Sequence, residues 1–248
     1  HLLGGISHIK NDYETLAAYR ENSPSTQLYV LNAFGSTNQT NSGTASETKL
    51  NSFFGRVNYR FDDKYLLEGN LRDDGSSRFS KATRFGLFPS LSAAWIISKE
   101  DFFNVSWIEN LKVRSSYGTL GNQQIGNYPY QKTLNLNQPY PFGQVEQLSP
   151  GIALITLPFE NITWETVTAF DQGLDVDLLK GKISLSIDYY DRRTSNILQS
   201  MTVSSVLGMN VSAQNAGKVQ NKGWDFQLSY KGTIKNFTFN IQPNFSIN

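Results

Sequence analysis

The sequence contains no cysteine, which excludes disulfide scaffolds, cysteine-based zinc sites and thiol chemistry. It contains only two histidines, His1 and His8, and no serine–histidine–aspartate set can be assembled around them. An excess of one charge is also missing, because 22 lysine and arginine residues face 21 aspartate and glutamate residues. This balance provides no electrostatic footprint for binding nucleic acid.

Long apolar runs are absent as well. The longest is the five residues from Ala93 to Ile97, whereas a membrane-spanning helix needs about 20. The first residues carry neither the basic nor the apolar region of a signal peptide, and residues 244–248 have the pattern of a strand interior. We therefore expect this chain of 248 residues to be a piece of a longer protein.

The sequence is rich in a pattern of period two, in which apolar and polar residues alternate. Val57 and Tyr59, for example, alternate with Asn58 and Arg60. Successive side chains of a strand point to opposite faces, so each such segment predicts a strand with one apolar and one polar face. The pattern recurs in residues 53–61, 65–72, 87–95, 111–117, 170–178, 183–190, 224–230 and 237–247. Sequential strands of this kind predict an antiparallel sheet.

Three features favour a membrane barrel over a soluble sheet. The predicted strands are long, near the roughly 9–11 residues that a tilted membrane strand needs, whereas soluble strands cluster at about five or six. Aromatic residues such as Tyr65 and Trp95 end the apolar stripes, where an interfacial girdle falls. Short and long connections also alternate, as in outer-membrane barrels. The long ones are predicted to be extracellular loops at residues 10–48, 74–84, 118–165 and 191–221.

We therefore predict an all-β fold, a segment of about nine strands from an antiparallel transmembrane β-barrel with long extracellular loops. Within the first loop, Asp12 to Arg20 are predicted to form a short helix and Ser36 to Thr48 a flexible tip. A secreted β-sandwich that serves as a carbohydrate-binding or adhesin module is the alternative, because it would show the same alternation.

Nine motifs follow one another in a fixed order. Among them are Asp74-Gly-Ser-Ser-Arg78, which resembles a tight turn, and the pair Trp164-Glu165. The full set occupies residues 52–61, 63–67, 71–79, 84–98, 111–122, 125–128, 164–165, 187–191 and 215–223. In this order the motifs resemble the SusC/RagA family of TonB-dependent outer-membrane transporters of Bacteroidota. One departure precedes Trp164, where Phe159-Glu-Asn-Ile-Thr163 replaces the usual Asn-Pro-Asp-Leu approach.

The resemblance implies a barrel of roughly 22 strands with a plugged lumen. It places the plug domain, the TonB-contacting box and the C-terminal strands outside this chain. It also implies a location in the bacterial outer membrane and the import of an oligosaccharide or a peptide, without an enzymatic step or a cofactor. The implied partners are a SusD-like surface lipoprotein, TonB acting through the absent plug region, and outer-membrane lipid.

Aromatic residues of the longest loop are the candidates for contact with substrate. Exposed rings stack on the apolar faces of sugars or on peptide side chains while their polar tips form hydrogen bonds. The candidates are Tyr128, Tyr130, Tyr140, Phe142 and Trp164. The competing interpretation is that these rings pack the loop on itself or on a partner.

Charged residues on the polar face of the first strands are the candidates for contact with the plug. They are Arg56, Arg60, Glu68 and Arg72. As residues of the lumen wall they would hold the plug domain through ion pairs or tune passage through the barrel.

Four carboxylates share the polar face of two later strands, namely Asp171, Asp175, Asp177 and Asp188. A glycosidase with two carboxylates at a suitable separation is therefore a third, distant hypothesis. The favoured interpretation is a polar wall whose charges are solvated or paired with arginine and lysine. No metal site is predicted, because Asp175-Val-Asp177 lacks the glycine and the distal glutamate of a calcium loop.

Overall fold

The computed structural model describes residues 1–136, 138–143 and 147–248, and its dominant feature is one antiparallel sheet. Ten strands form this sheet, which we call the wall. They are β1 (Leu2–Tyr19), β2 (Thr40–Phe61), β3 (Tyr65–Ser76), β4 (Phe85–Ile96), β5 (Ile108–Asn122), β11 (Glu165–Leu178), β12 (Ile183–Ser195), β16 (Lys218–Ile234), β17 (Phe237–Ile241) and β18 (Asn244–Ile247).

Neighbours in the chain are neighbours in the wall, in the order β1-β2-β3-β4-β5-β11-β12-β16-β17, and β18 also pairs with β16. The pairs Tyr230–Ile241 and Gln227–Asn244 follow a single register, so β17 and β18 are one strand interrupted at Pro243. Proline cannot donate a ladder hydrogen bond, which explains the interruption. The wall therefore has nine strand positions, and the predicted antiparallel sheet of about nine strands is confirmed.

Short strands and 3₁₀ turns lie in the connections between wall strands. The short strands are β6 (Leu134–Asn135), β7 (Tyr140–Phe142), β8 (Gln147–Ser149), β9 (Ala153–Leu154), β10 (Thr156–Leu157), β13 (Leu198–Gln199), β14 (Asn210–Val211) and β15 (Gln214–Asn215). They pair as β6–β9, β7–β8, β13–β15 and, in parallel, β10–β14. Among the described residues, 3₁₀ turns lie at Leu31–Ala33, Ile97–Lys99 and Ser205–Leu207. Within the described residues, no helix is both long and apolar enough to cross a membrane.

The two faces of the wall differ as the alternation predicts. Val57, Leu67 and Leu91 are exposed on one face, and 62% of the surface of Leu91 is accessible to solvent. Leu185 and Phe239 lie on the same face and are half-buried by their neighbours within the sheet. In the described part of the chain no second sheet covers this apolar face. The sandwich alternative requires such a cover.

The connections differ at the two ends of the wall. At one end, which we call the turn rim, residues 62–64, 97–107, 179–182 and 235–236 join the strands. At the other end, the loop rim, the connections are residues 20–39, 77–84, 123–164 and 196–217. Residues 137 and 144–146, within the third of these loops, lie outside the described residues. Three turn-rim connections have at most four residues and three loop-rim connections have at least 20, but residues 97–107 of the turn rim are longer than residues 77–84 of the loop rim.

The first hairpin differs from the sequence expectation. The predicted helix from Asp12 to Arg20 is wrong, because β1 and β2 pair without interruption from Leu2–Val57 to Tyr19–Thr40. Much of the predicted loop 10–48 is therefore strand, and residues 20–39 form the connection. An isolated helix of about nine residues is marginal in water because its nucleation is costly, whereas in the structure this segment is held by pairing with β2. The other three predicted loops are likewise shortened by a few strand residues at their ends.

Candidate functional site

The polar face of the wall carries an ion network centred on Arg114 of β5. Its guanidinium Nε lies 3.1 Å from Asp175 Oδ2 and its Nη2 lies 2.7 Å from Asp188 Oδ1. Ser186 donates a hydrogen bond of 2.7 Å to Asp175, and the Lys112 ammonium lies 3.3 Å from the same carboxylate. The network therefore joins three neighbouring strands, β5, β11 and β12.

The network forms because one residue between its members has no side chain. Gly173 of β11 pairs with Arg114 on one side and with Asp188 on the other. A Cβ at Gly173 would lie 2.5 Å from both Arg114 Cζ and Asp188 Oδ1. Because glycine has no side chain, the Arg114 side chain can cross β11 at this position and reach Asp188 on β12.

The remaining carboxylates of this face are also paired. Asp177 accepts a hydrogen bond of 3.1 Å from Asn110, and Asp171 lies 3.8 Å from Arg192. All four carboxylates named from the sequence therefore share one face, each with a polar or cationic partner. This is the paired polar wall favoured in the sequence interpretation.

The four candidate plug contacts lie on the same face but differ in how they are engaged. Arg72 donates to Asp74 at 2.7 Å and to Ser52 at 2.9 Å. Arg56 donates to Asn70 at 2.6 Å and lies 3.7 Å from Glu68. Arg60 is 66% exposed at its side chain, and its ion pair with Asp63 is long at 3.4 Å. Arg60 is therefore the member of the set that is least held by its own chain.

At the loop rim, four side chains form the buried centre of the described chain: Phe79, Phe88, Ile162 and Trp164. We call this group the rim cluster. The Trp164 ring lies 5.0 Å from that of Phe79 and 5.4 Å from that of Phe88, the latter edge to face. Its indole N–H donates a hydrogen bond of 2.9 Å to the carbonyl of Arg84. Only 5% of Trp164 is exposed, so this tryptophan packs the loops together.

Hydrogen bonds from the sequence motifs surround the rim cluster. Arg78 donates to the carbonyl of Ile125 at 2.7 Å, which joins two loops. The side chain of Asn215 both donates to and accepts from the backbone of Thr163, at 2.8 Å each way. Glu165 accepts from the backbone of Leu198 at 3.0 Å. These motif residues therefore tie loops 77–84, 123–164 and 196–217 to one another.

The other four aromatic candidates lie in two environments. Tyr128 and Tyr130 are half-buried with ring centroids 6.3 Å apart, and the Tyr128 hydroxyl donates to the carbonyl of Glu47 in the first hairpin. Tyr140 and Phe142 lie on β7, which pairs with β8, and are 67% and 73% exposed. Of the five, these two rings are open to a ligand or a partner.

At the turn rim, sequence reasoning missed a carboxylate that is enclosed by aromatic residues. Glu100 accepts hydrogen bonds from the Tyr65 hydroxyl at 2.7 Å and the Trp95 indole at 2.9 Å, and its other oxygen lies 3.2 Å from the Lys64 ammonium. These donors hold the pKa of Glu100 below its ordinary value. Glutamate after a short turn is common, so no sequence signal singles it out.

Comparison with known proteins agrees with this architecture. The family model described as TonB dependent receptor-like, beta-barrel matches residues 2–248. TonB-dependent receptor P3 of Formosa agariphila is 35% identical over the whole chain, which covers 25% of that relative. TonB-dependent receptor SusC of Bacteroides thetaiotaomicron is 36% identical over 82% of the chain and 21% of its own length. The chain thus spans about a quarter of these relatives.

Solved structures resemble the wall closely. The RagAB peptide transporter superposes on 98% of the chain with a TM-score of 0.83 and 25% identity, and the match covers 28% of that transporter chain. The outer membrane transporter YddB of Escherichia coli matches 98% of the chain and 30% of its own with a TM-score of 0.61 at 14% identity, a likeness of fold alone.

Proposed function

From the membership of this chain in the TonB dependent receptor-like β-barrel family, we propose that the whole protein imports an oligosaccharide or a peptide. Within that family the chain is of the SusC/RagA type. It is an outer-membrane protein, and its relatives are transporters rather than enzymes. The two-carboxylate hydrolase hypothesis is therefore wrong. The secreted sandwich is equally wrong, since the long strands of the described residues form a single sheet and the chain belongs to the barrel family.

The observation that carries the proposal is the contrast between the faces of the wall. The outward face presents residues such as Leu91 and Val57, which hydrocarbon tails solvate well. The inward face presents the Arg114 network, which requires a polar interior. A barrel closed from such strands encloses a hydrophilic lumen through which a polar nutrient passes.

In this proposal the plug domain belongs to a part of the protein beyond this chain and rests against the inward face. Arg60 is the best supported contact, because its long bond to Asp63 leaves most of the guanidinium free. Arg56, Glu68 and Arg72 already bond to wall residues, which favours a role in shaping the lumen surface. TonB acts on the plug and reaches the wall only through it.

At the loop rim, a SusD-like surface lipoprotein delivers the substrate in this proposal. This partner is what the resemblance to the SusC/RagA family implies, and a similar solved structure is described as the RagAB peptide transporter. Tyr140 and Phe142 are exposed on the longest loop and are the preferred contacts for substrate or lipoprotein. Trp164 and Tyr128 support the loop from within, through their bonds to Arg84 and Glu47.

Uptake by cells that express the full-length protein tests the function. Fluorescent maltoheptaose and a fluorescent unstructured peptide serve as probes, in a strain with TonB and in a matched strain without it. We expect one of the probes to accumulate in the periplasm only when TonB is present. Entry of neither probe, or entry that does not depend on TonB, contradicts the proposal.

A further inference from the structure

The outward face of β12 and β16 carries basic residues immediately beyond an aromatic pair. Tyr189 and Trp224 are cross-strand partners with ring centroids 5.1 Å apart. Two residues further toward the loop rim, Asp191 pairs with Lys222, and beyond them Arg193 pairs with Gln220 and Ser195 with Lys218. Because the side-chain period of a strand is two, all these residues share the face of Tyr189 and Trp224.

The position of the aromatic pair sets the height of these charges relative to the membrane. Tyrosine and tryptophan collect at the interface between hydrocarbon and head groups. A step of two strand residues is about 6.8 Å, so Lys222 lies one step beyond the aromatic pair and Arg193 two steps beyond. Both are therefore at the level of lipid head groups rather than of acyl chains.

The patch has an excess of positive charge. Arg193 lies 2.9 Å from Asp191, which also accepts a hydrogen bond of 2.8 Å from Gln220. One carboxylate thus faces three cations: Arg193, Lys218 and Lys222. The connection that follows, residues 196–217, contains no charged residue in its sequence. We call these three cations the basic patch.

Another outward-facing set beyond the apolar band is balanced, so a basic excess is not general. On the first hairpin, Lys10 lies 2.9 Å from Glu47 and 3.0 Å from Asp12, and Lys49 lies 2.6 Å from Glu47. Two cations face two carboxylates there. The ammonium groups of Lys49 and Lys10 lower the pKa of Glu47 to about 2, as expected for a carboxylate between two cations.

We propose that the basic patch binds the phosphate of a glycolipid head group in the outer leaflet of the membrane. The oxygens of a phosphate accept charge-assisted hydrogen bonds from the Arg193 fork and from the Lys222 ammonium. The acyl chains of the same molecule lie along the apolar face below, over Trp224 and the exposed Leu228. This continuity with the apolar face distinguishes a lipid from a soluble phosphate.

The binding of purified lipid to the full-length protein tests this site. Native mass spectrometry in detergent compares bisphosphorylated lipid A with the same lipid A after its phosphates have been removed. Basic residues near anionic lipid contribute about fivefold each in affinity, so Arg193→Gln/Lys222→Gln is expected to bind the phosphorylated probe roughly 25-fold more weakly. The dephosphorylated probe is expected to bind the wild type and this variant equally.

The matched control removes two cations from the balanced set. Lys10→Gln/Lys49→Gln is expected to retain wild-type binding of the phosphorylated probe. Should the double variant of the patch fail to assemble, Lys222→Gln alone is expected to weaken binding about fivefold. Equal binding of the two probes by the wild type, or unchanged binding by the patch variant, overturns the proposal. Full displacement of the lipid by inorganic phosphate also overturns it, because the site would then be one for the soluble ion.

Discussion

At the scale of single residues, the enclosed Glu100 is an unexpected feature of the turn rim. Its carboxylate collects the Tyr65 hydroxyl, the Trp95 indole and the Lys64 ammonium. Aromatic residues at this level were expected to serve as a membrane girdle, which requires only amphipathic rings. In the structure the polar tips of two of these rings are also fixed by an anion. The carboxylate therefore sets the orientation of the girdle at this point.

We predict that Glu100 makes the stability of the folded protein decrease at acidic pH. Its pKa is lowered from 4.5 by hydrogen bonds from Tyr65 and Trp95 and by the Lys64 charge. A lowered folded pKa means that the stabilisation is complete above the unfolded value and is lost as the pH falls through the folded value. The thermal midpoint of the full-length protein is read from the gel mobility of folded and unfolded bands. This midpoint should decrease once the pH is lowered below 4.5. Glu100→Gln should flatten this fall.

Glu109→Gln is the control for that measurement, because Glu109 is an exposed carboxylate near the same rim. It should retain the acid dependence of the wild type. An identical pH profile for Glu100→Gln and the wild type would show that other carboxylates govern the acid response.

At the scale of elements, β11 depends on one position without a side chain. Gly173 is buried between Arg114 and Asp188, and the arginine crosses the strand at this point. A glycine inside a strand ordinarily weakens it. Here it permits an ion pair between strands that are not neighbours, β5 and β12.

We predict that Gly173→Ala displaces the Arg114 guanidinium from Asp188. The added Cβ would lie 2.5 Å from atoms of both partners, so the side chains must move apart. Because Arg114 is partly exposed, we expect a modest loss of about 1 kcal/mol in the free energy of unfolding. The urea midpoint of the reconstituted protein measures this change.

Gly69→Ala is the matched control, since the nearest atom to its added Cβ is Leu91 Cδ1 at 4.0 Å. It should leave the midpoint unchanged. Equal destabilisation by the two substitutions would mean that loss of the glycine backbone, and not loss of the ion pair, is responsible.

At the scale of the whole molecule, the wall separates two solvents. β4 illustrates this, because its outward stripe begins at Phe85, ends at Trp95 and has Leu91 between them. Its inward residues include Ser92, which is the cross-strand neighbour of Glu68 and Ser116. One strand therefore contributes to the lipid surface and to the lumen at alternate residues.

We predict opposite outcomes for two arginines placed at adjacent positions of β4. Leu91→Arg puts a charge near the middle of the apolar band and should cost about 2–4 kcal/mol of barrel stability. Ser92→Arg points into the lumen beside Glu68 and should be tolerated. The amount of heat-resistant folded protein in isolated outer membranes measures both. Equal yields of the two variants would contradict the assignment of the faces.

The sequence by itself determined the faces of the wall. Alternation depends only on the period of a strand, and therefore the exposed Leu91 and the inward Arg114 could be predicted residue by residue. The motifs were likewise sufficient to identify the family, because their order is a property of the sequence. The connections were predictable in position, though not in length at the first hairpin, where pairing between β1 and β2 overrode local propensity.

Only the tertiary structure decided what individual loop residues do. Trp164 and Tyr140 are both aromatic residues of one long loop, yet Trp164 is buried against Phe88 and Tyr140 is exposed. The burial of Trp164 depends on three loops that meet at the rim, and the Arg114 network depends on the register of three strands. Contacts between segments far apart in the chain set these environments, and the local pattern of a single segment does not contain them.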